Sequence, residues 1–121
     1  EVRLRRRTLN GISMNVRTTK KMLSTGEQVQ TERQIDNNLY ESLMRQADPY
    51  RDTIHKIRKT FIWKGQFFEL DTYLDANSGL QILETKGIVD HESVNIPPFL
   101  EVMEDITGNT KYYNYNLALK K

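Results

Sequence analysis

The sequence predicts an α+β fold that is mainly antiparallel sheet with flanking helices, and three observations carry that prediction. Predicted strands outnumber helices. They are separated by tight turns rich in Asn, Ser and Gly, as in antiparallel sheets. Four segments also alternate charged and apolar residues with a period of two, so that residues two apart share one face of an extended strand.

Val2 to Arg7 reads as the first strand, and the Asn10-Gly11 pair as a hairpin turn, the strongest short signal of its kind. Ile12 to Lys20 returns as a second strand. After the turn Ser24-Thr25-Gly26, Gln28 to Gln34 forms a third, more polar one. Asp36 is an N-cap for a helix to about Ala47, because Leu39, Tyr40, Leu43, Met44 and Ala47 fall at helical spacing ahead of Asp48-Pro49. Thr53 to Lys64 and Gln66 to Leu74 make a second hairpin around Lys64-Gly65. Asn77-Ser78-Gly79 then turns the chain into a strand from Leu80 to Lys86. His91 to Val102, with Pro97-Pro98, is irregular or holds one short helical piece around Phe99 to Glu104.

A length of 121 residues bounds the chain to one domain, and 37% hydrophobic with 28% charged residues is polar but not disorder-like. A net charge of +2 is too small to argue for or against nucleic acid. Cysteine is absent, which excludes disulfides, thiolate metal sites and cysteine nucleophiles. There is no apolar run long enough to span a membrane, no signal peptide, no phosphate-binding glycine loop and no zinc spacing. The chain opens on Glu1 in what reads as mid-strand. It is therefore expected to be a fragment of a longer protein, lacking its first strand.

The alternating segments are Glu1-Val-Arg3-Leu-Arg5-Arg-Arg7, Thr18-Thr-Lys20, His55-Lys56-Ile-Arg58-Lys59 and Phe68-Glu69-Leu-Asp71. Arg3, Arg5 and Arg7 project together, as do Thr18 with Lys20, Lys56 with Arg58, and Glu69 with Asp71. A sheet with one face in water explains any single strand of this kind. Taken together, the opposite faces carry Val2, Leu4, Ile57, Phe61, Phe68, Leu70 and Leu74, enough for a core with the helix. The charged faces would then line a concave or closed surface. Arginine forks and lysine ammonium groups suit phosphate oxygens. Glu69, Asp71 and Glu84 have the chemistry for Mg²⁺ or Mn²⁺, although salt bridges to the arginines explain them as well. His55 should face away from Lys56 and Arg58. Trp63 and the run Tyr112-Tyr113-Asn114-Tyr115 read as packing, and with no aromatic pair on the arginine strands, nucleic acid is not the expected partner.

The order and spacing of these pieces resemble the CYTH, or triphosphate tunnel, superfamily. The resemblance is carried by Arg3-Leu-Arg5, Thr18-Thr-Lys20, Lys56-Ile-Arg58, Leu70-Asp71 and Gly79 through Leu83-Glu84. The tail adds Pro98-Phe99-Leu100-Glu101-Val102, Ile106-Thr107-Gly108-Asn109 and Tyr113-Asn114-Tyr115-Asn116-Leu117-Ala118. It implies an eight-stranded antiparallel β-barrel, a tunnel whose inward basic residues grip a triphosphate or other phosphorylated ligand. By that likeness Arg3, Arg5, Arg7, Lys20, Lys56, Arg58 and Lys86 would be ligand-binding, and Asp71, Glu84 and Glu69 would stand at metal positions.

The sequence departs from the superfamily in its acids. An opening Glu-x-Glu-x-Lys strand has no match. The later Glu-x-Glu pair stands as Glu84-Thr-Lys86, and the middle strand's Arg-x-Glu-x-Glu becomes Gln28-x-Gln30-x-Glu32. An ammonium in place of a carboxylate removes a metal ligand and repels the cation. The pattern therefore implies a tunnel converted from catalysis to binding, with Mg/Mn-dependent triphosphate hydrolysis as the alternative. It is similar to the CYTH-like C-terminal domain of the TRPL translocation defect proteins. That likeness implies a phosphoinositide ligand, peripheral contact with endosomal membranes from the cytoplasm, a role in membrane-protein trafficking, and a P-loop nucleotide-binding domain in the same longer chain.

Overall fold

Asn10 and Gly11 both take left-handed backbone conformations, with φ of +52° and +78°, in the computed structural model of the chain, which describes residues 1–87 and 94–121. Positive φ at both central residues is the requirement of the type I′ turn, whose twist matches that of the strands it joins. It closes β1 (Val2–Leu9) on β2 (Ile12–Met22), with Leu9 paired to Ile12. β3 (Gln28–Ile35) lies antiparallel along the other side of β2. Lys64 and Gly65, at φ +48° and +72°, repeat the device between β4 (Lys56–Trp63) and β5 (Gln66–Tyr73). β6 (Gln81–Thr85) completes that sheet.

Each sheet is a three-stranded antiparallel meander, β1-β2-β3 and β4-β5-β6. The chain divides into two compact units, Glu1–Asp48 and Pro49–Lys121, one around each sheet. The α+β class thus holds, with antiparallel sheets and few helices. The closed eight-stranded barrel implied by resemblance is not formed by the hydrogen-bonded ladders of the described residues. Six strands are described, and each pairs only with its sequence neighbours.

Helix α1 (Asn37–Met44) starts where expected: the Asp36 carboxylate accepts from the Leu39 amide at 2.7 Å. It stops earlier than Ala47. The amides of Gln46 and Ala47 donate three residues back, to Leu43 and Met44, so the last turn tightens. Asp48 precedes a proline, which disfavours a helical backbone there. Tyr40 is the buried member of the expected stripe, with Leu43 and Met44 half-buried and Leu39 and Ala47 exposed.

β4 begins at Lys56 rather than Thr53 because the preceding segment pairs elsewhere. The Asp52 amide donates to the Ala118 carbonyl at 2.7 Å, and Arg51 bridges Leu119. The core of the second unit is aromatic. Phe68 is fully buried and stacks on Phe61 at 5.3 Å, while Phe99 meets Phe61 at 6.0 Å and the edge of Trp63 at 5.6 Å. Burying a phenylalanine side chain contributes about 1.5–3 kcal/mol. Val2, Ile57 and Leu74, expected in the core, are exposed instead, since all three sit at strand ends: Val2 opens β1, Ile57 is the second residue of β4 and Leu74 follows β5.

Residues 94–106 are irregular, with a turn closed by the Leu100 amide on the Pro97 carbonyl, so the helical option around Phe99 to Glu104 is not taken. His91 lies outside the described residues. The tail ends in a 3₁₀ turn, Thr110–Tyr112, and a short helix α2 (Asn114–Leu117). Among the described residues no helix is long and apolar enough to cross a membrane.

Candidate functional site

In the second unit, strand register sets Arg58 opposite Asp71, Thr60 opposite Glu69 and Lys56 opposite Tyr73, with Glu84 of β6 opposite Glu69. Directly opposed residues share a face, so one side of this sheet carries Lys56, Arg58, Glu69, Asp71, Tyr73 and Glu84. The other side holds Phe61 and Phe68. The alternation legible in the sequence therefore separates an ionic face from an aromatic one.

Arg58 is the hub of the ionic face. Its Nε meets Asp71 Oδ1 at 2.7 Å, and a second guanidinium nitrogen meets Asp71 Oδ2 at 3.0 Å. Its Nη1 reaches Glu69 Oε2 at 2.6 Å. Lys56 Nζ adds a 2.8 Å contact to Asp71 Oδ2, and Lys86 Nζ a 3.1 Å contact to Glu69 Oε1. Asp71 and Glu69 are each only 6% exposed. A buried carboxylate persists as an ion only when paired and hydrogen-bonded, and these are.

Burial pushes the Asp71 carboxyl up, but hydrogen bonds from Arg58 and Lys56, with their charges, outweigh it and hold it below the usual carboxylate range. The same hydrogen bond to Asp71 holds the Arg58 guanidinium above its ordinary value. Burial, followed by the Asp71 charge, pushes the Tyr73 phenol up, so its hydroxyl remains a donor, to Asn114 Oδ1 at 2.8 Å.

The lowered Asp71 value has a consequence for acid stability. A carboxyl whose folded pKa lies below its unfolded value, about 3.9, stabilises the fold fully above that value. The contribution fades as pH falls through the folded pKa. Asp71→Asn should therefore flatten the acid limb of a stability-versus-pH curve below about pH 4, measured by urea unfolding at several pH values. An unchanged limb would remove Asp71 from the account.

All four oxygens of Glu69 and Asp71 face an ammonium or guanidinium group. Among the described residues no group of three or more His, Cys, Asp or Glu side chains is placed to hold a metal ion. As they stand, these residues do not fit the Mg²⁺ or Mn²⁺ that the resemblance implies. Lys86, the lysine standing where an acid was expected, serves instead as an exposed cation on Glu69.

In the first unit the register aligns Arg3 with Thr18 and Glu32, Arg5 with Val16 and Gln34, Arg7 with Met14, and Lys20 with Gln30. Arg3, Arg5, Arg7 and Lys20 thus occupy one face, as the alternation predicts. Among the described residues, the side chains of Arg3, Arg7 and Lys20 make no hydrogen bond or ion pair. Thr18, at 4% exposure, is the buried polar floor of this face.

Arg6 projects to the opposite side. It binds Asn15 Oδ1 at 2.8 Å, Asn37 Oδ1 at 2.6 Å and Glu41 Oε1 at 3.1 Å, and lies 4.3 Å over the Tyr40 ring. Its role is to fasten α1 to the sheet. His55, which lies just before β4, pairs through Nδ1 with Asp75 Oδ2 at 2.5 Å, with both side chains largely exposed. Trp63 packs on Phe99, as expected of a packing residue. Tyr115 lies under the Arg51 guanidinium at 3.5 Å.

The Tyr73 and Asn114 pair was not singled out by the sequence. Tyr73 continues the period-two series of Glu69 and Asp71 and was findable on that signal. Asn114 comes from forty-one residues further on, and no spacing announces it.

Two solved structures match this chain. One, described as the hypothetical protein NE1496, is 27% identical with a TM-score of 0.67, over 98% of this chain and 76% of that one. The other, described as the inorganic triphosphatase NE1496, is 25% identical with a TM-score of 0.61, over 99% of this chain and 85% of that one. No family model and no curated protein matches. A backbone likeness over nearly the whole chain supports the CYTH, or triphosphate tunnel, superfamily as the group this chain resembles.

Proposed function

We propose that this chain binds phosphorylated small ligands, a triphosphate first among them, through the basic face of its first sheet. Arg3, Arg5, Arg7 and Lys20 supply the phosphate contacts. The observation that carries this reading is the cationic face itself, on which Arg3, Arg7 and Lys20 have no side-chain partner among the described residues. Such groups are free to meet phosphate oxygens in charge-assisted bonds. In the second unit, Lys56, Arg58 and Lys86 are the corresponding cations, and the pairing of Asp71 and Glu69 with them supports binding rather than turnover. A phosphoinositide headgroup presents the same phosphate chemistry. It is the ligand class that the departures toward the TRPL-type domain favour, with peripheral membrane contact as its setting.

A second reading is metal-dependent hydrolysis, favoured by the likeness to a protein described as an inorganic triphosphatase. Calorimetric titration of the full chain with tripolyphosphate, in chelator and then with Mn²⁺, separates the two. Binding in chelator that weakens as salt rises from 50 to 500 mM, about a threefold shrinkage of the screening length, is expected. Absence of binding without metal, or phosphate release abolished by Glu84→Gln, would transfer the assignment to the hydrolase.

A further inference from the structure

We propose that the reverse face of the first sheet, the one fastened to α1, holds a second oxyanion site in which Arg17 and Arg33 take the phosphate of a soluble phosphate monoester. Arg17 is the direct cross-strand partner of Arg33, and Thr19 that of Thr31. Directly opposed residues share a face with Cβ atoms about 5 Å apart, so the two guanidinium groups and two hydroxyls project together. They alternate with Val16, Thr18, Glu32 and Gln34, and so lie on the side away from Arg3 and Arg5.

Like charges set directly opposite one another on neighbouring strands are destabilising. Folded chains normally separate such a pair or place a carboxylate on it. The second remedy is not used here: among the described residues, neither Arg17 nor Arg33 makes a hydrogen bond or ion pair. Arg6 shows what the remedy looks like on the same face, where three side-chain acceptors and the Tyr40 ring saturate it. Asp36, the acid that lines the same cavity, makes no ion pair with either arginine and turns one carboxylate oxygen to the Leu39 amide at 2.7 Å as the cap of α1. An incoming oxyanion would supply the missing counter-charge, and two planar forks suit its oxygens in bidentate fashion.

The space matches the chemistry. A cavity of about 600 Å³ opens over the pair, walled by Thr19 and Thr31 at one end and by Ile35 and Leu39 beside the helix. That volume is within the range of small-molecule sites and is far more than one phosphate group fills. The polar end takes the phosphate, and the apolar wall of Ile35 and Leu39 takes the organic body. A phosphate monoester with a compact apolar body therefore fits better than inorganic phosphate.

Phenyl phosphate is a suitable probe for the full chain. Saturable binding and a rise in the thermal midpoint are expected. In Arg17→Gln/Arg33→Gln the ligand-free midpoint should rise, because the repulsive pair is gone, while the affinity for phenyl phosphate falls by roughly tenfold or more. A merely structural pair would not give these opposite shifts. Arg3→Ala/Arg5→Ala should retain phenyl phosphate binding, and Arg17→Gln/Arg33→Gln should retain tripolyphosphate binding, so this site and the one proposed above fail or stand separately. No saturable binding by the parent chain, or equal affinity in Arg17→Gln/Arg33→Gln, overturns the proposal.

Discussion

Arg58→Ala is expected to lower the thermal midpoint of the chain by about 10 °C, the stability loss being about 3 kcal/mol. The figure is the low end of the range for breaking a buried ion pair, because Arg58 is itself 25% exposed at the side chain. The loss does not come from the attraction being unusually strong. Removing the guanidinium leaves the Asp71 and Glu69 carboxylates, both nearly buried, with one ammonium each. An uncompensated charge away from water is what costs. Two controls follow from that cause. Lys86→Ala, at a side chain 64% exposed, should change stability by less than about 1 kcal/mol. Combining Arg58→Met and Lys56→Met with Asp71→Leu and Glu69→Leu should recover much of the loss, since an apolar replacement of a buried ionic cluster is often neutral or better, and the exposed Lys86 stays in water. Thermal unfolding by circular dichroism reads all three. An Arg58→Ala midpoint within about 2 °C of the parent would mean that water reaches these carboxylates.

Arg3→Ala/Arg5→Ala is expected to weaken tripolyphosphate binding by about two orders of magnitude or more. A hydrogen bond to a charged group contributes about 1.5–3 kcal/mol, and each 1.4 kcal/mol is tenfold in the binding constant, so two contacts suffice. Arg3→Lys/Arg5→Lys should sit between the parent and the alanine form. Lysine keeps the charge but loses the planar fork that takes two phosphate oxygens at once. Raising the salt should narrow the gap between the lysine form and the parent less than the gap between the alanine form and the parent. Screening weakens the charge term and leaves the bidentate geometry in place. Titration calorimetry at two salt concentrations measures these differences. Equal affinity in the parent and the alanine form would remove this face from the proposed function.

The two hairpins were legible because their turns are written in residue identity: Asn10-Gly11 and Lys64-Gly65 adopt the left-handed pair that a two-residue turn needs. Asp36 was legible for the same reason, as a short acceptor at the start of an apolar stripe. Period-two alternation also placed Arg58, Glu69 and Asp71 on one face, which the register bears out. Salt bridges between these acids and the arginines were the expected alternative to a metal, and Arg58 makes them with Glu69 and Asp71; which cation meets which acid was not legible. Alternation tells which side a residue takes, whereas the choice between a metal ion and an arginine depends on which residue stands opposite, and that is set by register. The start of β4 was misplaced because Asp52 and Arg51 find partners at Ala118 and Leu119, more than sixty residues away. Phe99 joins the aromatic cluster from an irregular segment, where no periodicity exists to announce it. Arg17 and Arg33 escaped notice for a related reason: sixteen residues apart in sequence, they become neighbours only through strand pairing.

Among the described residues, each strand in both sheets pairs only with strands next to it in sequence. Contacts of low sequence separation close short loops, and chains dominated by them fold quickly. Every described ladder partner of the first meander has left the ribosome once Ile35 has emerged, so that sheet can assemble while the remainder is still being synthesised.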